Sequence, residues 1–90
     1  MADTITLRDG TTLDVEGDIT PREWMRWLDA ERGGDFHHIA STMAGYVKKW
    51  SLDGKDPADP NSYLDMDMRI FNEMSVAVAG YLLTGAPGKA

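Results

Sequence analysis

Ninety residues carrying 42% hydrophobic side chains are enough for one small core and too few for two, so the chain is read as a single domain with roughly 3–5 kcal/mol to spare. A net charge of −6 repels phosphate backbones and anionic headgroups, and Lys48-Lys49 is the largest basic cluster, which argues against nucleic acid and membrane surfaces. The lack of Cys excludes disulfides and thiolate chemistry, which suits a reducing cytoplasm, and no stretch reads as an export signal or a membrane span.

The first element is a hairpin over residues 4–16, where apolar and polar residues alternate about Asp9-Gly10. Its register follows from parity. Ile5, Leu7, Leu13 and Val15 are all odd-numbered, so a two-residue loop would split them between the two faces. A three-residue loop, Arg8-Asp9-Gly10, keeps them together and sets Ile5 opposite Leu13, with Gly10 in the left-handed region.

A first helix follows over about residues 21–32. Thr20 caps it, Pro21 takes the first position and Glu23 the third, while Ile19 and Trp24 are spaced as a hydrophobic staple. Trp24, Trp27 and Leu28 form its apolar stripe, joined by the aliphatic stem of Glu31, and Gly33-Gly34 ends it. A second helix is expected over 36–50, capped by Asp35. Phe36, Ile39, Ala40, Met43, Val47 and Trp50 recur at helical spacing, and Lys48 and Lys49 close it against the dipole.

Residues 51–61, SLDGKDPADPN, read as an exposed loop. A long third helix is expected over 62–83, opened by Ser62 and Asp65 as an acidic capping box and closed before Gly85. Its apolar residues fall in two adjacent stripes. One holds Leu64, Met68, Phe71, Val78 and Leu82, and the other Met66, Ile70, Met74, Ala77 and Tyr81. So broad a face calls for several neighbours, in this chain or in a second copy. Residues 85–90 read as a disordered tail. The fold class is therefore mainly α: an N-terminal β-hairpin, then three helices, the third long.

Chemistry is sparse along this chain. His37 and His38 are adjacent on a helix, about 100° apart, and cannot readily share an ion; one is expected on the flank of the core and the other in solvent. Asp65, Asp67 and Glu73 do not share a helix face, and Asp53, Asp56 and Asp59 lack the spacing of a calcium loop. Ser41 and Ser75 have no activating partners, and no Lys-Ser/Thr follows Gly33-Gly34 as a phosphate loop requires. The reading is a protein without catalytic residues, metal or cofactor. What remains is a surplus of Met and Trp, side chains suited to gripping other proteins. Trp24, Met25, Trp27, Trp50, Met66, Ile70, Phe71, Met74 and Tyr81 are the expected partner-binding residues, with Met25 off the core stripe and the best placed for an exposed contact.

From Val47 to Leu82 the chain reads VKKWSLDGKDPADPNSYLDMDMRIFNEMSVAVAGYL, preceded by the hairpin ITLRDGTTLDV and the helix opener DITPREW. This order, a helix end with Trp50, a polar Asp/Gly loop and a long terminal helix, resembles the tail assembly chaperones of long-tailed bacteriophages over nearly the whole chain. The resemblance implies a non-enzymatic protein of the infected host's cytoplasm that binds the tape measure protein, keeps it soluble, helps recruit tail tube protein, and is absent from the finished virion. It also implies a longer frameshifted product, and Pro87-Gly88-Lys89 can be encoded with the slippery string G-GGA-AAG. The alternatives are a structural subunit of a phage head or tail, or an acidic helical DNA-binding or regulatory module. Self-association is a further expectation.

Overall fold

A computed structural model describes residues 3–85. The expected tail lies, beyond Gly85, outside the described residues, as does Pro87-Gly88-Lys89. The elements in chain order are β1 (Asp3–Thr6), β2 (Thr12–Val15), α1 (Pro21–Gly33), α2 (Phe36–Tyr46), β3 (Val47–Trp50), α3 (Pro60–Leu64) and α4 (Met68–Thr84). Helices hold more than half of the described residues, around a three-stranded antiparallel sheet of order β1-β2-β3.

The hairpin has the register that parity demands, with Ile5 opposite Leu13. The Leu7 N–H donates to the Thr11 carbonyl at 2.8 Å, which leaves Arg8-Asp9-Gly10 as the loop, and Gly10 takes φ +92°. The Asp9 carboxylate accepts the Thr11 N–H at 2.9 Å, a bond that holds its pKa below the ordinary carboxylate value. Ile5, Leu7, Leu13 and Val15 are all buried on one face.

The capping box of α1 is complete: Thr20 Oγ1 accepts the Glu23 N–H, and Glu23 reaches back to the Thr20 N–H. Gly34, at φ +69°, ends the helix in a left-handed cap. Ile19 and Trp24 are both half-buried against the core, where a staple would place them.

The second helix is shorter than its spacing suggests. It stops at Tyr46, and Val47–Trp50, expected as its last turn, forms a strand on the outer edge of β2. The spacing misleads because Val47 and Trp50, three apart, also fit a strand that contains a bulge. Trp50 pairs with Leu13, Lys49 with Asp14, and Val47 with Val15, so Lys48 is one residue too many. That extra residue lets Val47 and Trp50 both turn toward the core. Backbone groups of β2 that a helix would leave unpaired are thereby satisfied. Lys48 still serves the helix end, donating from Nζ to the Gly45 carbonyl at 2.9 Å.

The long third helix is two helices. Asp59, not Ser62, caps α3, accepting the Asn61 N–H with Pro60 at the first position, and Ser62 is buried within the helix. The chain leaves helical geometry at residues 65–67, and Asp67 caps α4 by accepting the Arg69 N–H at 2.8 Å. Aspartate side chains compete with a continuous helix for backbone N–H groups, and two of them one residue apart favour a break and a fresh cap. The two predicted stripes resolve into one buried face of Phe71, Met74, Val78, Tyr81 and Leu82, drawn from both. Met68, placed on the first stripe, is exposed.

These residues join Trp27, Ala30, Ile39, Ala40, Met43, Val47 and Tyr63 with the inner face of the sheet in one hydrophobic cluster. Helix α2 lies at its centre, in contact with α1, α3, β3 and α4.

Candidate functional site

The break between α3 and α4 builds a small apolar depression at the surface. Phe36, Tyr63, Leu64, Met66, Met68 and Phe71 line about 60 Å³. Tyr63 and Phe71 form its buried floor, while Met68 and Phe36 stand at its rim, 54% and 44% exposed. The Phe36 ring meets the Phe71 ring edge-on at 5.6 Å, which holds it over the floor instead of in solvent. The Tyr63 hydroxyl donates to the Pro57 carbonyl at 2.6 Å, and its ring lies 5.0 Å from that of Trp50. Burial and, secondarily, the charge of Asp56 push the Tyr63 phenol well above its ordinary value.

Volume decides what such a site can take. Drug-sized ligands and cofactors need about 300 Å³ or more, whereas this depression matches one aliphatic side chain. The lining residues alternate with carboxylates along the chain: Asp35 precedes Phe36, and Asp65 and Asp67 interleave Leu64, Met66 and Met68. Asp67 is held ionised below the usual carboxylate range by the backbone N–H of Arg69 and, in smaller part, by the Arg69 side chain. The lining itself is apolar, and the nearby Asp67 is paired with Arg69 at 3.4 Å, so the hollow suits a single apolar anchor from a partner.

The expected partner-binding residues divide by burial. Trp27, Phe71, Met74 and Tyr81 are core, at most 6% exposed. Trp27 stacks on Trp24 with ring centroids 6.3 Å apart, and its Nε1–H donates to Glu31 at 2.5 Å. Trp50 is half-buried and locks the following loop, donating from Nε1 to the Lys55 carbonyl at 3.1 Å. Trp24, Met66 and Ile70 are half-buried as well. Met25 is 59% exposed on the outer side of α1. Only Met66 and Phe71 of the nine line the depression. Spacing alone places Phe36, Leu64 and Met68 on the apolar stripes of their helices; the pattern Leu-Asp-Met-Asp-Met, in which every second residue is a helix-capping type, is the signal of a junction there.

His37 is exposed and His38 half-buried, as adjacent positions on a helix require. Among the described residues no group of three His, Cys, Asp or Glu converges as a metal set, and no helix is long and apolar enough to cross a membrane. No family model, no curated protein and no solved structure matches the chain.

Proposed function

We propose that this chain is a protein-binding chaperone without catalytic activity, whose client presents an apolar anchor on an amphipathic helix. The observation that carries the reading is the depression between α3 and α4, where two large apolar side chains are held exposed around a preformed apolar hollow. Helix-in-groove recognition uses such anchors, and methionine adapts to varied partner shapes. The resemblance to phage tail assembly chaperones supplies the client: the tape measure protein, whose solubility before assembly depends on shielding its apolar helices, with tail tube protein recruited to the same complex in the host cytoplasm.

Co-expression tests this directly. With the wild-type chain a tape measure protein from the same genome stays in the soluble fraction and co-purifies. Met68→Asp, at a position 54% exposed, loses the client, and Phe36→Asp does the same while circular dichroism reports a folded chain. Undiminished co-purification by both variants rejects the site, and an insoluble tape measure protein beside wild-type chain rejects the client.

A further inference from the structure

The two edges of the sheet are not alike. On β3, Lys48 and Lys49 are exposed and the strand carries a bulge, both of which discourage addition of another strand. On β1 there is neither. Because the Leu7 N–H bonds Thr11, the odd-numbered residues of β1 direct their backbone groups at β2 and the even-numbered ones direct theirs away from the sheet. Three outward N–H groups follow, at Thr4, Thr6 and Arg8. That of Arg8 is taken by Glu73 of α4, at 2.7 Å. Thr6 lines a groove of about 700 Å³ between β1 and α4, together with Ile5, Val76, Ala77 and Gly80, and Thr4 lies two residues further along the same edge. Val76 is 64% exposed there.

We infer that this groove is the site where a second copy of the chain docks, β1 against β1, to continue the sheet across a two-fold axis. Symmetry and the Glu73 contact select one register. With the third donor already occupied, the antiparallel pairing that uses both remaining positions sets Thr4 opposite the second copy's Thr6 and Ile5 opposite its own equivalent. In that register Thr4 and Thr6 exchange backbone hydrogen bonds in both directions, threonine meets threonine on the outer face, and the three-stranded sheet becomes six-stranded. Charge is complementary along the seam. Arg8 of one copy extends past the other copy's Thr4 toward the carboxylate of Asp14, which already accepts from Thr4 Oγ1 at 2.7 Å. On the inner face the two α4 helices meet at Val76, where Ala77 and Gly80 allow close approach.

Sedimentation equilibrium of the whole chain at about 0.1 mM tests the docking. The expected mass is that of a dimer. Thr6→Pro removes an outward N–H that the fold does not use and shifts the mass to that of a monomer. Val76→Arg does the same by placing two like charges at the helix contact, at a position exposed enough to leave folding unaffected. Met68→Asp, in the client depression, stays dimeric, so failure here and failure of the chaperone reading are separable. A monomeric wild-type chain, or folded Thr6→Pro and Val76→Arg variants that remain dimeric, overturns the inference.

Discussion

Tyr46 closes over Gly17, and the fit leaves no room for a side chain. A Cβ at Gly17 would sit 2.5 Å from the Tyr46 ring, and the residue takes φ +139°, a region open essentially to glycine. The ring is held there by its hydroxyl, which donates to the Asp18 carbonyl at 3.0 Å. Gly17→Ala should therefore destabilise the chain by about 1–3 kcal/mol, read from the urea midpoint. The methionines separate in the same way. Met74 is fully buried and Met68 is not. Met74→Ala is expected to cost about 2–5 kcal/mol and Met68→Ala under about 0.5, although only the second touches the depression. Tyr63 gives a pH signature. Its folded phenol holds the proton above the ordinary value of 10.0, so the stability it contributes is complete below that pH and declines as pH rises beyond it. Burial, first of all, also raises the phenols of Tyr46 and Tyr81. Denaturation midpoints should fall through about pH 10 to 11, and Tyr63→Phe should flatten part of that fall.

Elements were legible where a local signal was also the decisive one. The Thr20-Pro21-x-Glu23 cap and the parity of Ile5, Leu7, Leu13 and Val15 are complete within a few residues, and both specify their structures. Loss of the cap in Thr20→Ala should cost about 1 kcal/mol, with helix α1 fraying first in amide exchange. Elements were misread where tertiary context decided. Nothing near Val47 announces that the outer edge of β2 is vacant, and the spacing of Met43, Val47 and Trp50 satisfies a helix as well as a bulged strand. Asp59-Pro60 carries the same cap signal as Thr20-Pro21, but the density of Asp, Gly and Pro around it makes residues 51–61 read as a loop. The kink at Asp65 and Asp67 was hidden by hydrophobic residues that continue at helical spacing on both sides. That kink matters most, since without it Leu64, Met66 and Met68 would lie along a straight helix and enclose no hollow against Phe36.

For the molecule as a whole, one core cluster binds sheet and helices together, and the depression between α3 and α4 lies apart from the groove beside β1. The candidate site was half legible. Composition pointed to Met and aromatic contacts, but Trp27, Phe71, Met74 and Tyr81 are consumed by the core of a chain too small to leave its largest side chains outside. The proposed function requires that the exposed Phe36 and Met68, with the half-buried Met66 beside them, receive a partner's apolar anchor. The most direct measurement is NMR of the methionine methyl groups, titrated with an amphipathic tape measure helix. The Met66 and Met68 methyls should shift and broaden saturably while Met25 stays in place. Shifts at Met25 with none at Met66 and Met68 would contradict the account.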